Sequence, residues 1–226
     1  MCGRDAGKVE AARAEGLDAA AVDVTDHGAA RAWLDDVAAR HGALHVLVAN
    51  AGGPPQGMAT AFDVQAYRDA VELSLLSLIN LAQAGLPHLR DAGWGRILFV
   101  TSKSVRQPIP ALALSNTARM GVVGYARSLV ADLAAQDAEA GRQGTVTVNV
   151  LAPGSTRTGR LESLAAGPDG SGDVEEGLAG MAAGIPLGRV GRPEEFAAVA
   201  TFLAGEPAAF VTGQVVLVDG GEVQAL

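Results

Sequence analysis

The side chains in this chain that could do chemistry gather where short apolar runs stop. The run at 19–24 ends in Asp23 and Val24, and LHVLVA (44–49) runs into Asn50-Ala51-Gly52. RILFVT (96–101) leads to Ser102 and Lys103, and TVTVNVLA (145–152) turns at Pro153-Gly154, with Thr156 and Thr158 just beyond. Asp23 offers a carboxylate acceptor, and the serine and threonines offer hydroxyl donors. Asn50-Ala51-Gly52 leaves backbone bare enough for a ligand to lie against it. Taken singly, these are also the residues of ordinary turns. Their shared position at strand ends separates them from turns, because open parallel sheets bind ligands beyond the carboxyl ends of their strands.

Other chemistries lack the residues to carry them. His27, His41, His45 and His88 show no metal-ligand spacing. His41 and His45 are four apart, but Gly42 lies between them at a helix end, so all four are expected on the surface or in loops, with no metal. Cys2 is the only cysteine, which excludes an intramolecular disulfide and makes a reducing, cytoplasmic setting the simple expectation. A net charge of -8 with no Lys/Arg-rich run argues against nucleic acid or an anionic membrane as a main partner. The opening MCGRDAGKVE has no apolar core for a signal peptide, and the apolar stretch from Leu73 to Leu81 is broken by serines and short for a bilayer.

The elements that must position these residues follow from periodicity. Hydrophobic residues at 49% and charged residues at 19% exclude disorder and allow one well-buried domain over residues 1–226. Helices are expected at 5–15, 27–42, 64–91, 115–138 and 193–204, the second with Ala30, Leu34, Val37 and Ala38 on its buried face. Pro193 suits the first position of the last helix, and Pro87 lies near the end of the 64–91 helix. Strands are expected at 19–24, 44–52, 96–102, 145–154 and 214–221. Continuously apolar strands separated by helices signal a parallel sheet covered on both faces, so the class is doubly wound α/β. The Gly-rich stretch 165–177 reads either as a mobile lid or as a plain flexible loop.

Five segments in order carry a resemblance: DVTD (23–26), VANAGG (48–53), GRILFVTS (95–102), VNVLAPGSTRT (148–158) and GRPEEFAAVATFLAGEPAAFVTGQVVLVDGG (191–221). They resemble the short-chain dehydrogenase/reductase family, most closely its 3-oxoacyl-carrier-protein reductase-like members, from about Arg4 to Gly221. The resemblance implies a Rossmann-like fold and a dinucleotide bound by Asp23, Val24, Asn50, Ala51, Gly52, Pro153, Gly154, Thr156 and Thr158. Arg4 matches the position after the family's second strand, where an Arg commonly pairs with the 2′-phosphate of NADP; a solvated surface Arg is the other reading. NADP is therefore expected ahead of NAD.

The chain departs from the family twice. The family opens with a strand, a GxxxGxG turn and a helix whose N-terminus holds the pyrophosphate. Here Val9 stands where the third glycine would follow Gly3 and Gly7, and the expectation is truncation rather than a fold rebuilt around the loss. In the family's strand order this loss bares one edge of 44–50. Either 19–24 moves in to pair with it, or another chain covers it.

The second departure is chemical. Ser102 matches the family's catalytic Ser, but Ser115 stands thirteen residues on in place of Tyr, and Arg119 four further in place of Lys. Ser74 falls at the family's Asn. Neither Tyr67, followed at +4 by Val71, nor Tyr125, followed by Leu129, restores the YxxxK pattern. An aliphatic hydroxyl is a far weaker acid than a phenol, and a guanidinium cannot relay a proton, though it can bind a ribose hydroxyl and hold positive charge near a carbonyl. Arg119 is thus expected both in the catalytic set and against the cofactor. Lys103 reads as a site donor or, more simply, as a solvated loop lysine.

The resemblance implies an NADP-dependent reductase of a ketone on a small or carrier-linked substrate. The runner-up is a relative without hydride transfer, acting as a binding or scaffold subunit or using the cleft for non-redox chemistry. The helices at 64–91 and 115–138 are apolar around much of their circumference, with Leu73, Leu75, Leu76, Leu78 and Ile79 on the first, and a homodimer or homotetramer is expected.

Overall fold

The structure is a computed structural model that describes residues 1–167 and 170–225. Its sheet core has four parallel strands in the order β3 (Val46–Ala49), β4 (Gly95–Val100), β5 (Val146–Pro153) and β6 (Val215–Val218). A separate parallel ribbon pairs β1 (Cys2–Gly3) with β2 (Ala20–Ala21). The α/β class expected from the sequence is what is found.

Alternation along β4 explains why both faces need helices. Ile97 and Phe99 join the main core with α2 (His27–His41), α4 (Ser77–Asp91) and α5 (Ala113–Glu139). Leu98 points the other way, into a cluster with Leu151 and with Leu203 of α8 (Pro193–Ala204). Strand side chains alternate between faces, so a strand buried on both sides must be apolar throughout. The expected face of α2 is confirmed: Ala30 and Leu34 are fully buried, with Val37 and Ala38 half-buried. Asp26 caps its first turn by accepting from the Ala29 N–H, and Gly42 ends it at φ 80°. The first helix is α1 (Ala6–Ala14), capped by Asp5, and Pro193 opens α8 as expected.

Three expectations need correction. The strand at 19–24 shrinks to Ala20–Ala21, and it pairs with Cys2–Gly3 rather than with 44–50. Among the described residues nothing pairs with the outer edge of β3, and Val48 on that strand is 51% exposed. The 64–91 helix is interrupted: α3 (Val64–Val71) passes through a π-helical turn at Glu72–Leu76 into α4. This continuous stretch is long and apolar enough, by length and composition, to cross a membrane, yet it lies along the sheet as a core helix, with 44% of its most apolar window buried. The Gly-rich stretch joins two helices. It holds the end of α6 (Gly159–Ala165) and the start of α7 (Val174–Ala182), the latter capped by Asp173, while Pro168 and Asp169 lie outside the described residues.

Candidate active site

The carboxyl ends of β3, β4 and β5 lie side by side, and the sequence-marked residues follow from them. After β3 the chain runs through Asn50, Ala51 and Gly52; Asn50 and Gly52 are exposed and Ala51 is half-buried. The π-helical turn places Ser74 over this segment. Its side chain is fully buried, and its Oγ donates to the Gly52 carbonyl at 3.3 Å. Such single π turns inside helices are frequent at functional sites.

Arg119 on α5 reaches the same point. Its guanidinium donates to the carbonyls of Val100 and Thr101 at 3.1 Å each, to the Gly52 carbonyl at 3.5 Å, and through Nε to Ser115 Oγ at 3.2 Å. Ser115 and Arg119 are four apart on one helix, so they stack on one face. Both are buried, at 9% and 7% exposure. Burial is the main reason the Arg119 pKa falls to about 10, with the positive charge of Arg160 adding to it. Ser102 follows Thr101 directly, and its Oγ accepts from the Ser104 N–H at 3.2 Å. Ser74 and Arg119 therefore meet at the Gly52 carbonyl, Arg119 also holds Ser115, and Ser102 lies on the adjoining strand end.

The residues expected against a cofactor lie in the segments around these strand ends. Asp23 Oδ1 accepts from the Thr25 N–H and hydroxyl, at 2.9 and 2.7 Å. Those bonds, ahead of Arg4 at 3.7 Å, hold its carboxyl below the usual range. Val24 packs against the main core. Gly154 is required by crowding, since a Cβ there would lie 2.6 Å from Asp219 Cα. Thr156 donates to the Gly154 carbonyl at 3.3 Å, so its proton is already used. Thr158 caps α6, accepting from the Leu161 N–H at 3.3 Å, which leaves its own proton free.

Neither tyrosine belongs to the site. Tyr67 donates to the Ala59 carbonyl, and Tyr125 stacks edge-on against Phe99. Three of the four histidines lie against carboxylates, His27 on Glu72, His41 on Asp18 and His88 on Asp35, while His45 packs on Trp94. Among the described residues no group of His, Cys, Asp and Glu could hold a metal.

Sequence reasoning missed two features. Lys103 is not a solvated loop lysine: it pairs with Glu222, both side chains being mostly buried at 17% and 15% exposure, and Glu222 also accepts from Ser155 N and Oγ at 3.0 Å each. Arg160, two residues past Thr158, donates to the Pro54 carbonyl at 2.8 Å. A basic residue just past the strand-end threonines was the available signal, but which loop it would touch depends on tertiary contact.

A doubly wound sheet whose strand ends collect hydroxyls and a buried cation over a bare glycine segment defines a Rossmann-type enzyme scaffold. The family described as Enoyl-(Acyl carrier protein) reductase matches residues 3–222. The chain is 36% identical over 200 residues to the cis-4-hydroxycyclohexanecarboxylate dehydrogenase of Sinomonas cyclohexanicum, covering 88% of this chain and 74% of the relative. It is 28% identical to the 3-oxoacyl-acyl-carrier-protein reductase of Escherichia coli K12, over 88% of this chain and 75% of that one. Among solved structures, the gluconate 5-dehydrogenase of Burkholderia cenocepacia J2315, in complex with NADP and tartrate, superposes with a TM-score of 0.82 at 28% identity, covering 100% of this chain and 85% of that one. The chain belongs to the short-chain dehydrogenase/reductase family of oxidoreductases.

Proposed function

We propose that this protein is an NADP-dependent oxidoreductase that reduces a ketone on a small or carrier-linked substrate, working as a cytoplasmic homodimer or homotetramer. The observation that carries the reading is that Ser74 and Arg119 both donate to the Gly52 carbonyl while Arg119 also holds Ser115, with Ser102 on the adjoining strand end. The residues present fit a dinucleotide at both ends. Exposed Gly52 and Gly53 leave backbone for it to lie on, Val24 and Asp23 flank an adenine position, and Arg4 supplies a planar cation for a 2′-phosphate. Thr158 keeps a hydroxyl proton for a carboxamide. The NADP in the gluconate 5-dehydrogenase structure supports the same choice of cofactor.

When bound, the nicotinamide supplies the hydride. The protein supplies the rest. Ser102 accepts from the Ser104 N–H, so its own O–H is free to donate to a substrate carbonyl. Arg119, with a pKa near 10, stays cationic at neutral pH and stabilises the alkoxide as it develops, without giving up a proton. Ser115 is held by the Arg119 Nε and passes protons to the alkoxide only through solvent, since its hydroxyl is too weak an acid to donate outright.

The test is NADPH binding followed by NADPH oxidation over a panel of ketones, with Arg4→Ala beside the wild type. NADPH should bind more tightly than NADH, and Arg4→Ala should weaken NADPH binding more than NADH binding. Equal wild-type affinities would remove the NADP assignment. Tight NADPH binding with no ketone turned over would leave a cofactor-binding subunit instead of a reductase.

A further inference from the structure

A set of cations lies over the segment after β3. Arg119 reaches the Gly52 carbonyl at 3.5 Å and Arg160 the Pro54 carbonyl at 2.8 Å. A Cβ added at Gly53 would stand 3.6 to 3.8 Å from the Arg160 guanidinium, and one at Gly52 would stand 3.9 Å from an Arg4 nitrogen. Three guanidinium groups from β1's end, α5 and α6 thus converge on the three residues Gly52–Pro54.

The charge there is one-sided. Arg4 has a carboxylate within reach, Asp23 at 3.7 Å. Among the described residues neither Arg119 nor Arg160 forms a salt bridge; both donate to carbonyls, and Arg119 also to a serine hydroxyl. Carbonyls satisfy N–H groups without neutralising charge. Like charges held together in a partly buried cleft repel, and an anion placed between them removes that repulsion while gaining charge-assisted bonds. Arg119 lies four residues from Ser115, so the anion would sit beside the reacting centre.

We propose that Arg119 and Arg160, facing each other over Gly52–Pro54, form an oxyanion site whose ligand is a phosphate or carboxylate group of a molecule bound in the active-site cleft. Exposed Arg160 presents the planar fork that matches paired oxygens, while buried Arg119, most of whose N–H groups already serve protein acceptors, adds its positive charge behind it. Two sources present that chemistry: the diphosphate of the dinucleotide and the carboxylate of an oxo-acid substrate. The inference rests on the strand-end site proposed above, but its test reads binding alone, so a lack of turnover would not count against it.

The experiment is titration calorimetry on the wild type, Arg160→Gln and Arg160→Lys. One arm compares ADP with adenosine, and the other compares 4-oxopentanoate with its methyl ester. Arg160 is exposed, so its substitution should leave the fold intact, which circular dichroism checks. The wild type should prefer the anion in one arm by about tenfold, as one lost charged hydrogen-bond pair would give. Arg160→Gln should remove that preference, and Arg160→Lys should restore part of it. Loss in the ADP arm identifies the diphosphate, and loss in the oxo-acid arm identifies the substrate. No preference in either arm of the wild type, or a preference untouched by Arg160→Gln, overturns the site.

Discussion

At the scale of single residues, the proposed site differs from the family's pattern in the acid–base strength of its groups. On the proposed reading Ser102, Ser115 and Arg119 stand for the family's Ser, Tyr and Lys, and only the first keeps its chemistry. Ketone reduction needs a proton delivered, which solvent can do; alcohol oxidation needs a base, which neither Ser115 nor Arg119 supplies at neutral pH. The wild type should therefore oxidise alcohols poorly. Ser115→Tyr combined with Arg119→Lys should raise kcat for alcohol oxidation by on the order of 10²-fold, measured as NADPH formation at pH 7. A native enzyme already equal to the double variant would mean that another base is at work.

At the scale of elements, two local arrangements can be checked by stability alone. The β5 turn depends on Gly154, where a Cβ would meet Asp219 Cβ at 2.5 Å and Glu222 Oε2 at 3.0 Å. Gly154→Ala should cost about 1–3 kcal/mol through overpacking, read as a lower thermal midpoint, and should loosen the Lys103–Glu222 pair beside Ser102. The other is Asp18, which ties the loop before β2 to the end of α2. Its bond to His41 at 2.9 Å, then its bond to Arg40, lower its pKa to about 2. A depressed carboxylate contributes stability that is present above its unfolded pKa and lost as pH falls through the folded one. The gap in thermal midpoint between wild type and Asp18→Asn should therefore be full at pH 5 and close as pH approaches 2. The contribution is small because the group is solvent-exposed.

At the scale of the whole molecule, the open question is what covers its bare surfaces. The outer edge of β3 is unpaired among the described residues, and exposed strand edges recruit other chains. Leu76 and Met120 are 39% and 46% exposed on the helices expected to pair two copies. Light scattering at micromolar concentration should give a dimer or tetramer, and Leu76→Lys with Met120→Lys should shift it toward monomer. A monodisperse wild-type monomer would count against the assembly. Hydrogen exchange adds a separate reading: β3 amides should gain protection as concentration rises if another copy covers that edge, and should exchange rapidly at every concentration if none does.

Much of this was legible in the sequence. Alternating apolar strands and amphipathic helices fixed a doubly wound sheet, because side-chain period and burial must agree in any fold of such a chain. Strand-end residues such as Gly52, Ser102 and Gly154 were legible for the same reason, since the sheet dictates where its ends face. Local signals could not reach further. Whether 19–24 would pair with 44–50 was decided by competition between backbone partners distant in sequence, and Cys2–Gly3 won. The π turn that buries Ser74 depends on packing between α3 and α5, and periodicity alone reads it as ordinary helix. Lys103 looked solvated because its partner, Glu222, lies at the far end of the chain. Nothing local marked where Arg160 would lie, and the fold lays it over Gly53. Charge pairing and cation clustering are set by distances through space, and only the tertiary structure determines those.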